Sequence, residues 1–453
     1  MKTKNYRKAV QSLLSQFSKD EKAPITHSIF TKAHAADIAE IISHVSEDRQ
    51  LKVFDALDVK QRGDVFVELP EDLQSEFIEE TDDQRLLALF KELEPDEAAD
   101  FLSLLDEDRQ QELLSELPQR LQRKFRTLLL YGEESAGGIM TSILLTVHAG
   151  DTVNMAIEQI REYKSDEIII NVYIVDQNFK LIGSVPLQNL IIADGKAKIE
   201  DIMELSPIAV NVNDDQEIVG QTVRKYNLLS VPVIDDAGKL LGRITMDDVI
   251  DVVHEEADED VYRMAGVDSD EIHVDSGFAI ARMRLPWLSI CLGGSMVSAF
   301  VLQNFESILS KSMVLIAFLP AICAMGGNSG LQTSTVTIRN LTYEAVFHSN
   351  RKKLARRELL SGVIIGITCG FLVCCISLLW LGNIIYGLII GSSMLLTIFF
   401  STCTGFFIPI FFSKLKIDPA IASGPLITTL NDAMSAFIYL AMASLQLKYF
   451  GLL

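Results

Sequence analysis

The apolar positions change rhythm twice along the chain. Between about 34 and 130 they come in pairs, such as Phe77-Ile78 and Leu113-Leu114, set between short acidic runs. That pattern predicts short amphipathic helices, each too small to bury its own apolar face. Glu47-Asp48-Arg49-Gln50, Glu71-Asp72-Leu73-Gln74 and Glu107-Asp108-Arg109-Gln110 echo one another at offsets of 24 and 36. Repeats of this size predict a stack of helix pairs, each covering the next. After Leu285 the pattern becomes continuous. Five apolar stretches, near 286–304, 313–337, 359–381, 385–412 and 419–446, are each long enough to cross about 30 Å of hydrocarbon at ~1.5 Å per residue.

The middle of the chain reads as strands. Val172 to Gly183 aligns with Val231 to Gly242 at an offset of 59. Both are runs of branched residues around an Asp-containing turn, which predicts two hairpins. Helix-like stretches flank them at 153–163 and 187–193, then at 217–226 and 246–253. This β–α–β–β–α order in tandem resembles a pair of CBS domains, with the fuller signature in Gly242-Arg243-Ile244-Thr245-Met246-Asp247-Asp248. A helix is predicted over 247–260, with carboxylates at 247, 248, 251, 255, 256, 258, 259 and 260. Like charges one turn apart repel by a few tenths of a kcal/mol. Such a helix is either a solvated linker or a surface that counter-cations screen or bridge.

Charge sharpens the division. Residues 286–453 hold 10 Lys+Arg and 5 Asp+Glu, leaving 30 and 56 for residues 1–285, so +5 stands beside −26 in a chain of net −21. A soluble part at −26 repels phosphate, which excludes nucleic acid as a partner. All six cysteines lie in the apolar part, which excludes a secreted disulfide scaffold and a CxxC zinc site. His254-Glu255-Glu256 is not a metalloprotease motif, because position 258 is Asp. The opening MKTKNYRKAV has no apolar core, so no cleaved signal peptide is expected. Basic residues set the topology. With the acidic part cytoplasmic, ten of them (282, 284, 339, 351, 352, 353, 356, 357, 414 and 416) lie inside and only Lys311 and Lys448 outside. The N-terminus is expected in the cytoplasm and the C-terminus outside.

Among the acids of the apolar part, Glu306, Glu344, Glu358 and Asp418 fall at segment ends, and Asp432 alone is deep. Counted from Asp418 along a helix, it lies about 21 Å in. A carboxylate there costs at least ~2–3 kcal/mol unless it meets a wet cavity or a cation. Two polar stretches could line such a path: Ser423-Gly424-Pro425 with Thr428, Thr429 and Asn431, and Gly326-Gly327-Asn328-Ser329-Gly330 with Gln332. Irregular backbone lining a cavity is one reading, and close helix packing through small residues is the other. One carboxylate with carbonyl and hydroxyl oxygens is a hard set, suited to Mg²⁺, Ca²⁺ or Mn²⁺. A two-fold dimer would place two copies of Asp432 opposite each other.

The whole order of parts resembles the MgtE family of magnesium channels. Three motifs carry the resemblance: Glu134-Ser135-Ala136-Gly137-Gly138-Ile139-Met140-Thr141, Gly326 to Gln332, and Asp418-Pro419-Ala420 with Thr429-Leu430-Asn431-Asp432. It implies a multidomain membrane protein. Its parts are an all-α helical-repeat domain at 1–131, CBS copies at 132–201 and 202–253, an acidic connecting helix at 247–281 and a five-helix membrane domain at 285–453. It also implies a homodimeric Mg²⁺ channel in the plasma membrane, not an enzyme, with lipid around it. Asp432, Thr428, Gly424, Asn431, Asn328 and Gln332 would form the pore, and position 428 would offer backbone oxygen. Cytoplasmic Mg²⁺ would close the channel by binding Asp96, Asp100, Asp215, Glu217, Asp248, Asp251, Glu256, Glu259 and Asp260. Thr245 and Asp248 are the residues that would hold ATP, although the first CBS copy, ending Gly183-Ser184-Val185-Pro186-Leu187-Gln188-Asn189, lacks their counterparts. Two departures stand out: Thr428 and Gly424 replace other small or amide residues of some relatives, and Asn227 replaces an acid.

The rival readings make different demands. A secondary transporter exchanging a divalent cation for Na⁺ or H⁺ usually shows an inverted repeat, and five spans do not halve. A CBS-type nucleotide-sensing receptor leaves Asp432 without a purpose. An aspartyl protease needs a second deep carboxylate.

Overall fold

The acidic runs that echo along the first hundred residues each open a helix, and their glutamines say why. The computed structural model describes residues 30, 33–93, 95–142, 144–163, 168–268, 271, 274, 276–310, 312–347, 351–415, 417–422 and 424–451. The side chains at 47, 48, 71, 72, 96, 342–347, 351 and 422 lie outside that description, as do Lys311, Lys416 and Ser423 altogether. Two units form, Met1–Val252 and Val253–Leu453.

In the first unit, helices α1 (Ala35–His44), α2 (Glu47–Asp55), α3 (Val59–Val67), α4 (Glu71–Glu80), α5 (Asp83–Phe90), α6 (Pro95–Ser103), α7 (Glu107–Glu116) and α8 (Gln119–Leu128) follow one another. The echoed runs open α2, α4 and α7. Gln74 Nε2 donates to the Phe66 and Val67 carbonyls at 3.0 and 3.2 Å, and Gln110 Nε2 to the Leu102 carbonyl at 2.7 Å. Each amide thus closes the last turn of the helix before it, where carbonyls lack intrahelical partners. Asp58, Asp82 and Asp106 cap the starts of α3, α5 and α7, accepting from backbone N–H groups at 2.8, 3.1 and 2.9 Å. The buried faces meet in one apolar core, where Phe54, Phe66, Phe77 and Phe101 pack at ring separations of 4.6–6.0 Å. Gln74→Ala leaves two carbonyls without their donor and should destabilise this unit by about 1–3 kcal/mol, read as a lower melting temperature of the full chain.

The two hairpins of the CBS pair repeat with their offset of 59 intact. The first copy has β1 (Thr146–His148), β2 (Asn171–Val175), β3 (Leu181–Pro186) and β4 (Glu204–Leu205), in that sheet order. The second has β5 (Val210–Asn211), β6 (Ser230–Ile234) and β7 (Leu240–Thr245). In each, the outer strand runs parallel to the hairpin's first strand and the hairpin itself is antiparallel. Asp176 Oδ1 accepts from the backbone N–H groups of Asn178 and Lys180 at 2.8 and 2.9 Å, and Asp235 Oδ1 does the same for Ala237 and Lys239 at 3.0 and 2.8 Å. This is the reason for Asp at the predicted turns. The hairpins also pair with each other. Leu181 N donates to Gly238 O at 3.0 Å and Leu240 N to Phe179 O at 2.9 Å, while Tyr173 and Ser230 share a buried hydroxyl contact of 2.7 Å.

The acidic helix spans Met246–Ala265, shorter than the 247–281 expected. Gly266, at φ +75°, turns the chain through a conformation that other residues rarely take. Helix resumes at Gly277 as part of the first span.

In the second unit the spans are Gly277–Asn304, Met313–Phe347, Arg351–Leu381, Ile384–Lys414 and Gly424–Tyr449, each long and apolar enough to cross a membrane. The fourth packs against the second, third and fifth, and the first packs on the fifth. The Gly-rich stretch of the second span stays helical throughout, so no irregular backbone opens there, contrary to one expectation. Glycine serves close approach instead. A Cβ at Gly370 would lie 2.6 Å from the Gly391 carbonyl oxygen, and one at Gly391 would lie 2.7 Å from that of Gly370. Neither backbone can yield without moving its helix. Gly391→Ala should therefore separate the third and fourth spans and cost about 1–3 kcal/mol, seen as a lower melting temperature in detergent.

Candidate functional site

Asp432 lies on the fifth span eight residues after Gly424, where that helix begins, so it sits about 12 Å along it. The expected 21 Å is too deep, because Pro419–Ala422 forms a separate 3-10 turn. The carboxylate is half-buried and faces the second span at Gly327. A Cβ at that glycine would be 3.7 Å from Asp432 Oδ1 and 3.4 Å from Thr428 Cγ2. Glycine at 327 thus lets Asp432 and Thr428 approach the neighbouring helix. The Thr428 hydroxyl returns to the Gly424 carbonyl at 3.0 Å.

Immediately beside this point the second span turns a polar stripe outward. Pro320, Ala324, Asn328, Gln332 and Val336 recur every four residues and are all exposed in the single chain. Asn328 and Gln332 are thus exposed on the second span, while Gly327, one residue before Asn328, is the position that faces Asp432 and Thr428. Two other residues expected in the pore are buried in the single chain. Asn431 is fully buried and accepts from Thr404 Oγ1 at 2.6 Å, on the side of the fourth span. Successive helix residues point about 100° apart, so Asn431 and Asp432 cannot share a face. Gly424 is buried with its Cβ position against the Met264 carbonyl, a packing role at the start of the fifth span.

The proposed regulatory acids are distributed differently. Asp215 caps helix Gln216–Tyr226, accepting from Glu217 N at 2.8 Å, and Glu217 accepts from Gln221 at 3.1 Å. Asp248 Oδ2 accepts from the Thr245 N–H at 2.9 Å and from its hydroxyl at 2.6 Å, a capping box that starts the acidic helix. Burial pushes the Asp248 carboxyl above its ordinary range, partly offset by those bonds to Thr245. Nucleotide at Thr245 and Asp248 would have to exchange that bond. Asp251 is exposed, and Glu256 partly so. Asp100 borders a pocket of about 230 Å³ that also carries Glu107 and Glu133, while the side chain of Asp96 falls outside the described residues.

At the end of the acidic helix, sequence reasoning missed a clamp. Arg263 pairs with Glu259 one turn back and with Asp418 Oδ2 at 2.5 Å, and Asp418 Oδ1 accepts from Ala420 N at 2.8 Å. Burial, with Asp418 nearby, pushes the Asp260 carboxyl up against the pull of Arg263. Gly266 fits against Trp287 and Pro425, and Gly424 against Met264. The signal was a basic residue four after Glu259, the spacing of a helical ion pair. Among the described residues, no three His, Cys, Asp or Glu side chains gather as a metal-holding group.

The chain's relatives are consistent along its length. Residues 33–134 match the MgtE intracellular N domain, 136–195 and 199–255 the CBS domain, and 319–442 the MgtE divalent cation transporter family. It is 38% identical over 328 residues to the magnesium transporter MgtE of Enterococcus faecalis, covering 72% of each chain. With that of Thermus thermophilus it shares 33% over 335 residues, 73% of this chain and 74% of the relative. A crystal structure of the soluble part of a magnesium transporter superposes with a TM-score of 0.50 at 30% identity, over 56% of this chain and 99% of that one. Helical domain, CBS pair and membrane spans thus match in one continuous order, and the chain belongs to the MgtE family of magnesium transporters.

Proposed function

We propose that the protein is a homodimeric, Mg²⁺-selective channel of the plasma membrane, with its N-terminus in the cytoplasm and its C-terminus outside. It admits Mg²⁺ down its electrochemical gradient and catalyses no reaction. The observation that carries this reading is the half-buried Asp432 beside Thr428, both facing Gly327 of the second span, with the Asn328 and Gln332 amides exposed on that same span. Amide and carboxylate groups are costly against lipid, and a second copy placed edge to edge across a two-fold axis would enclose them in water. Two carboxylates with amide and hydroxyl oxygens then suit an ion that keeps most of its water, as Mg²⁺ does. The relatives described above are magnesium transporters, and they supply the ion.

Feedback by cytoplasmic Mg²⁺ is read from the concentration of negative charge on the acidic helix. The acidic helix carries eight carboxylates between 247 and 260, and divalent ions collected around them relieve a repulsion that otherwise holds such surfaces apart. A bound ion shifts the gate only through its greater affinity for the closed state. Patch-clamp recording on the reconstituted full chain tests both parts. Currents should reverse at the Mg²⁺ equilibrium potential and fall as cytoplasmic Mg²⁺ rises into the millimolar range. Uptake without current, or tied to a Na⁺ or H⁺ gradient, would favour the exchanger.

A further inference from the structure

On the side of the second span away from Asn328 and Gln332, the bundle interior is polar. Ser334 of the second span, Thr397 and Ser401 of the fourth, and Asn431 and Ser435 of the fifth are each 0 % exposed. The hydroxyls of Ser334, Thr397, Ser401 and Ser435, and Asn431 Nδ2, have no hydrogen-bond partner among the described residues. Other buried hydroxyls of these helices solve the problem locally. Ser393 donates to Ile389 O at 2.7 Å, Thr402 to Ile398 O at 2.9 Å and Thr337 to Thr333 O at 2.7 Å. Three of the orphaned groups, on Ser401, Ser435 and Asn431, instead face glycines. Ser435 Oγ and Ser401 Oγ converge on the place a Cβ at Gly326 would occupy, with Thr397 Cγ2 2.9 Å from it. Asn431 Nδ2 lies where a Cβ at Gly330 would stand.

We infer that this seam between the second, fourth and fifth spans is a buried water site, with Ser401 and Ser435 as its principal ligands and Asn431 Nδ2 one turn further along the second span. Buried polar groups that converge without bonding directly are bridged by a small molecule able to donate and accept. Asn431 Nδ2 only donates, so its partner must accept, which a metal cation cannot do. No carboxylate enters the seam to neutralise an ion, since Asp432 points to the other face. Water satisfies the amide and the hydroxyls together. The site is separate from the transport path and holds whether or not the channel reading does.

The test uses the full chain in lipid nanodiscs. Ser401→Ala and Ser435→Ala should each lower the melting temperature by a few degrees, because each strips a bridging water of a ligand and strands its other partners. The double variant should melt close to the single ones, since the two share one water. Higher or unchanged melting temperatures would show that the hydroxyls were dry, and strictly additive losses that they share nothing; either overturns the inference. A cryo-EM map resolving ordered water should show density within hydrogen-bond distance of Ser401 Oγ and Ser435 Oγ, and an empty seam overturns it. Replacing NaCl by choline chloride should leave the wild-type melting temperature unchanged. A shift would assign the seam to an alkali ion, against the inference.

Discussion

Asp432→Ala is expected to reduce Mg²⁺ uptake to background while the protein stays folded and keeps the proposed dimeric state. The argument is electrostatic on both counts. A carboxylate in a span costs at least ~2–3 kcal/mol to insert, so its removal favours the fold, and the melting temperature should hold or rise. The same removal takes both negative charges from the edge where two copies would meet, leaving only neutral oxygens for a divalent ion. Asp432→Asn keeps the shape and should fail as well, whereas Asp432→Glu retains charge and should keep part of the flux. Uptake by liposomes of reconstituted protein, with size-exclusion chromatography for the dimer, reads these outcomes. Near-normal flux in the alanine variant would sink the pore assignment.

Neutralising Asp248, Asp251, Glu256 and Glu259 together should leave the channel open at millimolar cytoplasmic Mg²⁺. Moving a two-state gate from mostly open to mostly closed takes about 5.5 kcal/mol of differential binding. No single exposed carboxylate supplies that, but several weakly occupied ones do. Asparagine at 248 still accepts from the Thr245 N–H, so the helix start survives. Glutamine at 259 weakens the pair with Arg263, and Glu259→Gln alone is the control for that effect. If inhibition in the fourfold variant matches wild type, the acidic helix is merely a solvated linker.

Much of the fold was legible because it repeats. The offset of 59 in the sequence reappears in the hairpins, since β2 and β6, and β3 and β7, each begin and end 59 residues apart, and the shared Asp turns gave both hairpins away. The echoed glutamines were visible as a pattern, but their task of closing the preceding helix was not, because it depends on how two helices meet. The membrane stretches were legible from hydropathy alone. What sequence could not settle was direction around a helix. Asn431 and Asp432 are neighbours in the chain, and only packing decides which one the fourth span buries. The orphaned hydroxyls had a partial signal: Thr397 and Ser401 are four apart in an otherwise apolar stretch, which marks one face of a helix.

The contact of Gly424 with the Met264 carbonyl makes the fifth span a lever with its fulcrum at the end of the acidic helix. From that pivot to Asp432 the arm is about 12 Å, so a tilt of about 10° would swing the carboxylate by roughly 2 Å, and in the proposed homodimer two arms related by the two-fold axis would change the gap between them by about twice that. A side chain at 424 would wedge the pivot open or jam it, which makes the smallest residue of the span its most mechanically exacting one.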